Sequence, residues 1–214
     1  MRVILVPVKA LERSKGRLAE ALSPMERAAL SLAMLEDVLD ATTVMPGWQT
    51  WVISPDQSVL EVAARRRARA VVEEAPGLVT AIRQAEEEAP AADALAVVLG
   101  DLALITPEAL ARVLQTLGPV VAAPSASDAG TNVLLRRPPD AVPPLFGTSS
   151  FRKHRDAAEL HDIPFAEVRV PELAFDLDRP EDLATLLAST RRTRARAVCA
   201  EMGVTDRLNL RKRA

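Results

Sequence analysis

The stretch ALAVVLGDLALI, residues 94–105, decides the fold class of this chain of 214 residues. It is apolar without a break up to Leu99 and then reaches Gly100 and Asp101, which predicts a strand with helices over both of its faces. The segment that follows, TPEALARVLQTL, predicts a helix with Thr106 as N-cap and Pro107 at its first position. A buried strand that leads directly into a capped helix is the repeating unit of an α/β fold.

The same unit recurs on the N-terminal side of this stretch. Three further strands are predicted there, RVILVPV, QTWVIS and RAVVEE, and a helical segment follows each of them. One more strand, PVVAAPS, follows the helix that begins after Thr106. Strands that alternate with helices of about 10–15 residues form parallel sheets. We therefore expect a Rossmann-like, mostly parallel sheet between two layers of helices.

The regular alternation of predicted strands and helices ends near residue 130. GTNVLLRRPP and AEVRVPEL, residues 130–139 and 166–173, predict strands without the alternating helix, and we expect them to join the sheet as antiparallel strands. The prediction is a three-layer αβα sandwich over residues 1–190. Residues 191–214 are predicted to form a basic C-terminal helix or tail. Its charges indicate a solvated helix with a frayed end or, alternatively, a patch for nucleic acid or a partner.

Composition and charge argue against several functional classes. The formal net charge is −2, so no overall positive field favours DNA or a membrane surface. Aromatic residues make up 3% of the chain, too few for the stacking platforms of a single-strand binder. Cys199 is the single cysteine, which excludes internal disulfides and is compatible with a reducing cytoplasm. We expect a cytoplasmic protein, bound neither to nucleic acid nor to membranes, whose partners are small molecules and at most a second copy of itself.

Three carboxylates lie where ligands bind in open α/β sheets, beyond the carboxyl ends of the strands. Asp101 ends an unbroken apolar strand, where a carboxylate is costly unless it is coordinated, paired or exposed in a cleft. Asp176 and Asp178 alternate in FDLD, which would place both on one face of a strand end. The three together suit Mg²⁺, which takes carboxylates and substrate phosphates. The alternative is that Asp101 and Asp178 are turn or N-cap residues.

A basic loop follows the first strand. Its cations are Lys9, Arg13, Lys15 and Arg17. Lys15 and Arg17 can point at one ligand, the lysine as a point charge and the arginine as a bidentate fork, so a triphosphate can use both. We interpret these two as catalytic cations, Lys9 as a helper and Arg13 as exposed. The alternative is an ordinary solvated loop.

Two later loops combine glycine with hydroxyl groups. They are SDAGTN, residues 127–132, and LFGTSSF, residues 145–151. The second opens a helix, and a helix N-terminus with Ser149 and Ser150 nearby is an anion site. His154 lies near the same helix face as Ser150, which makes it a candidate for contact with an anionic ligand. The alternative is ordinary turn chemistry with an N-cap serine.

These groups favour nucleotidyl transfer. The cationic loop would hold a triphosphate, and a carboxylate-bound Mg²⁺ would neutralise charge as pyrophosphate leaves. If the acceptor is itself a phosphate, no general base is needed, because its nucleophilic oxygen is already ionised at neutral pH. The sequence lacks the zinc-ligand pairs, the G-x-S-x-G nucleophile and the Walker A loop of other enzyme classes.

Five segments, in order and at suitable spacing, resemble the CofC/FbiD guanylyltransferases of coenzyme F420 biosynthesis. They are VPVKALERSKGRL (6–18), VVLGDLALITPEAL (97–110), DAGTNVLL (128–135), FGTSSFRKHRDAA (146–158) and FDLDRPEDL (175–183). The resemblance covers about residues 1–188. It implies a fold of the nucleotide-diphospho-sugar transferase type and transfer of GMP from GTP to the phosphate of phosphoenolpyruvate or 2-phospho-L-lactate, with 3-phosphoglycerate used by some members.

The resemblance also implies roles for single residues. Those that resemble the Mg²⁺ ligands are Asp101, Asp176 and Asp178. Those that resemble the phospho-acid pocket are Thr131, Gly147 and Ser150, to which we add His154. Lys15 and Arg17 resemble the loop that contacts the triphosphate. We expect Lys9, Gly77 and Gly100 to contact the nucleotide as well.

One departure from the family concerns the nucleotide. Val79 stands where the family usually has an asparagine after Gly-Leu, so recognition of the base or ribose is left without an assigned residue. It favours one alternative, a nucleotidyltransferase of the same fold with a sugar-phosphate or pterin acceptor. The departures from the family motifs taken together, with the basic tail, leave a second alternative, a nucleotide-binding relative without turnover.

Overall fold

The computed structural model describes residues 1–211, and residues 212–214 of the predicted basic tail lie outside them. One sheet contains the strands β1 (Arg2–Pro7), β2 (Gln49–Ser54), β3 (Arg69–Val72), β4 (Ala94–Val98), β5 (Val120–Pro124), β6 (Thr131–Arg136) and β7 (Phe165–Glu167). The helices are α1 (Pro24–Thr42), α2 (Gln57–Arg65), α3 (Leu78–Glu88), α4 (Pro107–Gln115), α5 (Ser150–Leu160), α6 (Pro171–Ala174), α7 (Pro180–Ala188), α8 (Arg194–Glu201) and α9 (Val204–Arg211). Two short 3₁₀ helices, Leu11–Arg13 and Gly16–Leu18, connect β1 to α1.

The sheet has the strand order β3-β2-β1-β4-β6-β5-β7. Strands β1 to β4 pair in parallel with one another, as the alternation of strands and helices predicts. β6 is antiparallel to both β4 and β5. The expectation of added antiparallel strands is confirmed for β6 and wrong for the last strand, because β7 runs parallel to β5.

The segment predicted as a strand over residues 166–173 is divided between two elements. β7 ends at Glu167 and α6 begins at Pro171. Proline donates no backbone hydrogen bond and fits the first turn of a helix, so strand pairing cannot continue through it. Residues 175–178 are also not a strand. Strand alternation therefore does not place Asp176 and Asp178 on one face, contrary to the prediction.

Helices cover both faces of the sheet and complete the predicted three layers. On one face, Ile4 and Val6 of β1 pack in a core with α1, α2 and α4. On the other face, Val3 and Leu5 pack in a core with α3. Alternate residues of β1 thus face different helical layers, and both must be apolar. This is why the first strand shows no polar–apolar alternation.

The C-terminal helices pack against the side of α1 that faces away from the sheet. Cys199 of α8 and Val204 of α9 are buried in a cluster with Leu30 and Met34 of α1. Burial raises the pKa of the Cys199 thiol to about 11, so it remains protonated at neutral pH. The expectation of a solvated helix is therefore wrong for α8, because its apolar side is part of a core.

Two arginines of this segment pair with acidic residues of α1. The carboxylate of Asp37 accepts hydrogen bonds from the backbone N–H groups of Arg194 and Ala195, at 2.8 and 2.9 Å, and so caps the N-terminus of α8. The Arg194 guanidinium also pairs with Asp40. Arg207 of α9 pairs with Glu26 at 2.5 Å. These two arginines are neutralised within the chain.

Across the described residues, no helix combines the length and the apolar character that crossing a lipid bilayer requires.

Candidate active site

A cleft of about 370 Å³ runs along the carboxyl ends of the four parallel strands. It is lined by Glu73 after β3, Ile53 of β2, Val8 after β1 and Gly100 after β4. The carboxyl edge is where open α/β sheets bind ligands, because the loops that leave the strands enclose space there. The cleft therefore lies where the sequence predicts the ligand.

Two predicted glycines shape this cleft. A Cβ atom on Gly100 would lie 3.0 Å from Val8 Cγ2 and 3.6 Å from the Pro7 carbonyl oxygen. Glycine at this position lets the turn after β4 approach β1 closely. Gly77 precedes α3 with a φ of +130°, a conformation that favours glycine. Both glycines line the cleft.

The ammonium of Lys15 lies between two carboxylates at one end of the cleft. Its Nζ donates to Asp101 Oδ2 at 2.7 Å and to Asp178 Oδ1 at 3.1 Å. Arg17 Nη1 donates to the other oxygen of Asp178 at 3.0 Å. Four predicted site residues from three distant segments meet here, and we call them the Lys15 cluster.

The backbone at Lys15 has a conformation that non-glycine residues rarely adopt. Its φ of 52° and ψ of 39° lie in the left-handed region, at the turn between the two 3₁₀ helices. The side chain enclosed by this turn is only 4% exposed. Burial alone would lower the pKa of Lys15, but Asp101 and Asp178 outweigh burial and raise it. The enclosed ammonium therefore stays charged.

The residues of this cluster fit a divalent cation. Asp101 Oδ1 is buried and has no hydrogen-bond partner within the described chain, which is costly unless something binds it. Burial alone would raise the pKa of Asp178, but Lys15 and Arg17 outweigh burial and hold it below its usual range. Two such carboxylates match Mg²⁺, which binds one or two carboxylates together with substrate phosphates.

Asp176 points toward a serine loop instead of joining the cluster. Its carboxylate accepts hydrogen bonds from Ser125 Oγ at 2.9 Å and from Ser127 Oγ at 3.2 and 3.1 Å. Burial raises its pKa, the serines oppose this, and nearby Asp101 adds to it. No three His, Cys, Asp or Glu side chains among the described residues are placed to hold one metal ion. The predicted set of three carboxylates is thus assembled only as the pair Asp101 and Asp178.

The other cations of the loop differ in their exposure and in the groups that they contact. Lys9 lines the cleft and contributes to the lowered pKa of Asp178. Arg13 is exposed and pairs with its neighbour Glu12 at 3.7 Å. Arg17 contacts Asp178 while 65% of its side chain stays exposed.

The residues predicted for the phospho acid form a second cluster at the start of β6 and α5. Thr131 Oγ1 accepts a hydrogen bond from Ser150 Oγ at 3.2 Å and lies 3.1 Å from His154 Nδ1. Gly147 is on the loop before α5 with a φ of +114°, and a Cβ atom built there meets nothing within 4 Å. The structure therefore joins Thr131, Ser150 and His154 directly and leaves open space at Gly147.

Comparison with known proteins identifies the family. The family described as "Guanylyl transferase CofC like" matches residues 1–211, which includes the basic C-terminal segment. The chain belongs to the CofC guanylyltransferase family.

Similar curated proteins carry guanylyltransferase names. A "Phosphoenolpyruvate guanylyltransferase" from Sphaerobacter thermophilus is 42% identical over 190 residues, covering 86% of this chain and 91% of the relative. A protein of the same name from Rubrobacter xylanophilus is 40% identical, and the match covers 86% of this chain and 93% of the relative. A "3-phospho-D-glycerate guanylyltransferase" from Phenylobacterium zucineum is 37% identical, covering 79% and 82%. These names make guanylyl transfer, a nucleotidyltransferase reaction, the activity of the family.

Solved structures confirm the fold. A protein from Desulfovibrio desulfuricans G20, provisionally named a nucleotide-diphospho-sugar transferase, matches with a TM-score of 0.74 at 17% identity and covers 94% of this chain and 95% of its own. CMP:2-keto-3-deoxy-manno-octonic acid synthetase, solved with CTP, matches with a TM-score of 0.60 at 13% identity and covers 94% and 100%. The fold is therefore of the predicted nucleotide-diphospho-sugar transferase type.

In this CofC chain, His154 does not present a ring nitrogen to a ligand, contrary to expectation. The side chain is fully buried, and its Nε2 accepts a hydrogen bond from the Leu145 N–H at 2.9 Å. In the neutral ring Nδ1 then carries the proton and donates it to Thr131 Oγ1. Burial, aided by Arg136 and Lys153, lowers the pKa of His154 to about 4. His154 is thus a neutral donor behind Thr131.

This arrangement determines which hydrogen bonds the Thr131 hydroxyl accepts and which it can donate. Its oxygen accepts from both His154 and Ser150, which occupies both lone pairs. The threonine hydroxyl hydrogen is then left to donate elsewhere. An anionic oxygen placed against this loop would accept it.

The buried histidine predicts a specific pH dependence of stability. The folded pKa of about 4 is below the unfolded value of 6.5, so the unfolded chain gains a proton first as the pH falls. Between pH 7 and pH 5 the wild type should lose about 2 kcal/mol more unfolding free energy than His154→Asn. Urea unfolding at both pH values measures this. Equal losses in the two proteins would show that His154 titrates normally.

The sequence analysis assigned no role to two groups of this site. Ser125 and Ser127, which hold Asp176, come from the loop after β5, and hydroxyls at the end of a predicted strand were the signal available. Glu73 lines the cleft after β3. Its signal was a carboxylate at a strand end, the same signal that identified Asp101.

Proposed function

We propose that this protein transfers GMP from GTP to the phosphate of phosphoenolpyruvate and releases pyrophosphate, in the cytoplasm, as a step of coenzyme F420 biosynthesis. The observation that carries the proposal is the Lys15 cluster at the edge of the cleft. It combines an enclosed cation, two carboxylates and an unpartnered carboxylate oxygen in one place. Groups of this kind can balance the negative charges of two phosphates that are held close together.

The reaction forms a bond between an acceptor phosphate oxygen and the α-phosphorus of GTP, and breaks the bond from that phosphorus to the β-phosphate bridging oxygen. The electron pair leaves with pyrophosphate. The attacking oxygen is already ionised, so the site needs cations and not a base. This matches the described cleft, where Lys9 and Lys15 are the lining cations and the one described histidine of the site is buried.

Each charged residue has a task in this reaction. Lys15, Arg17 and Lys9 balance the charge of the triphosphate, with Lys15 held in place by its turn. Asp101 and Asp178 are the residues that would hold Mg²⁺. When bound, Mg²⁺ supplies positive charge for the phosphates and the departing pyrophosphate. Asp176 is held by Ser125 and Ser127 and lies close enough to Asp101 for the two charges to interact.

Thr131, Ser150 and Gly147 are proposed to bind the acceptor. Thr131 has a hydroxyl hydrogen left to donate, and Ser150 opens α5, whose N-terminus favours negative charge. The relatives at 42% and 40% identity are named for phosphoenolpyruvate, which favours that acid over 2-phospho-L-lactate. The relative at 37% identity favours 3-phosphoglycerate as the second candidate.

The test is pyrophosphate release by the purified protein with Mg²⁺, each of the four common nucleoside triphosphates and each of the three acids, with mass detection of the product. We expect release and a guanylyl ester with GTP and phosphoenolpyruvate together, and neither product when one is omitted. A preference for CTP or UTP would support a different acceptor class. Tight GTP binding without release would support a relative without turnover, and either result would overturn the proposal.

A further inference from the structure

We propose that Glu73 selects guanine in the cleft by accepting hydrogen bonds from the base. The inference rests on the proposed function, since it concerns the nucleotide that this cleft binds. It assigns base recognition to a residue outside those that the sequence analysis identified.

The layout of the cleft places the base near Glu73. The parallel strands lie in the order β3-β2-β1-β4, and the Lys15 cluster is at the end formed by β1 and β4. Glu73 follows β3 at the opposite end of the same cleft. A nucleotide whose phosphates contact Lys15 therefore extends its base along the cleft toward β3.

The carboxylate of Glu73 is oriented and available. Its Oε1 accepts a hydrogen bond from the backbone N–H of Gly77 at 3.0 Å, which fixes the side chain at the start of α3. No cation pairs with it anywhere in the described part of the chain. Its other oxygen therefore has acceptor capacity left for a ligand.

The other lining residues at this end offer little selectivity. Leu78, Ala81 and Ile53 supply apolar contact that any base can use. Val79 has no hydrogen-bonding group on its side chain. Among the described side chains that line the β3 end of the cleft, Glu73 is thus the one with strong acceptor character.

Guanine fits a carboxylate better than the other bases do. Its N1–H and exocyclic amino group are adjacent donors on one edge, and a carboxylate has two adjacent acceptor oxygens. Adenine and cytosine present one amino group next to an acceptor nitrogen, and uracil presents one N–H between two carbonyl groups. Each of these would leave an acceptor facing the carboxylate, which is penalised when water is excluded.

The test measures binding of GTP, ITP and XTP to the wild type and to Glu73→Gln by displacement of a fluorescent GTP analogue. Inosine lacks the exocyclic amino group, so the wild type should bind ITP about tenfold more weakly than GTP. In Glu73→Gln the amide oxygen keeps the hydrogen bond from the Gly77 N–H, so the amide NH₂ faces the base. With guanine bound, two NH₂ donors would face each other. With xanthine bound, the amide NH₂ can donate a hydrogen bond to the 2-carbonyl oxygen. We expect the ratio of XTP to GTP affinity to rise about a hundredfold.

Glu74→Gln is the matched control, because it makes the same change one residue away on an exposed side chain that does not line the cleft. It should leave the affinities for all three nucleotides as they are in the wild type. If the wild type prefers GTP and Glu73→Gln keeps that preference, the inference about Glu73 is wrong while the proposed function stands. If the wild type binds GTP no more tightly than ITP or XTP, the inference is also wrong, and the pyrophosphate assay with the four common nucleoside triphosphates tests the proposed function separately.

Discussion

The Asp101→Asn variant should stay folded and lose about a thousandfold in kcat. The substitution preserves shape and removes one negative charge beside Lys15, on a residue that would hold Mg²⁺. Asp101 Oδ1 is the buried, unpartnered oxygen of the cluster, and an amide there binds a cation far more weakly. Lys15 keeps its contact with Asp178 at 3.1 Å, so the local fold has a remaining partner. Steady-state pyrophosphate release measures kcat, and circular dichroism checks the fold.

Asp156→Asn is the matched control for this change. Asp156 is an exposed residue of α5 that pairs with Arg152 at 3.4 Å, outside the cleft. Its kcat should stay within about twofold of the wild type. If Asp101→Asn retained more than about a tenth of the wild-type kcat at saturating Mg²⁺, a charge at Asp101 would not be part of the chemistry.

The Lys15→Met variant should lose about a hundredfold in kcat and also become less stable when Mg²⁺ is absent. Methionine keeps most of the length of the side chain and removes the charge that separates Asp101 from Asp178. Two carboxylates that share one enclosed cation then repel each other. A divalent cation should bind them more readily, so added Mg²⁺ should raise the Tm of the variant more than that of the wild type.

Arg17→Met provides the comparison within the same loop. Its side chain is 65% exposed and contacts Asp178 alone, so its effect on Tm should be small and its effect on kcat clearly weaker than that of Lys15→Met. Thermal unfolding with and without Mg²⁺ measures both variants. An unchanged Tm and an unchanged Mg²⁺ response in Lys15→Met would show that Lys15 does not hold the two carboxylates together.

The local elements of the fold follow from nearby residues. Ser23 and Glu26 form the capping box of α1, and Thr106 caps α4, as their spacing predicts. The continuous apolar run of β4 predicts a central strand, and β4 lies between β1 and β6. Caps and hydrophobic periods act within a few residues, so the chain segment itself is sufficient to predict them.

The prediction was weaker where pairing depends on distant residues. Pro171 ends a predicted strand, and Asp37 binds the N-terminus of α8 from 157 residues away. The basic C-terminal segment looks solvated when it is considered alone. Its burial depends on the acidic and apolar residues of α1, which no local pattern connects to it.

The candidate site shows the same division. The positions of Lys15, Asp101 and Asp178 after predicted strands or in loops are visible in the sequence, and so is the type of chemistry that cations and carboxylates support. Only the tertiary structure determined that Lys15 meets Asp101 and Asp178, which are 86 and 163 residues away, while Asp176 binds serines and His154 is buried. Residue types and the local periodicity of hydrophobic residues can be read directly from the sequence. The partner of each charge is decided by long-range packing, because packing sets which groups lose water and which counter-charge is near enough to replace it.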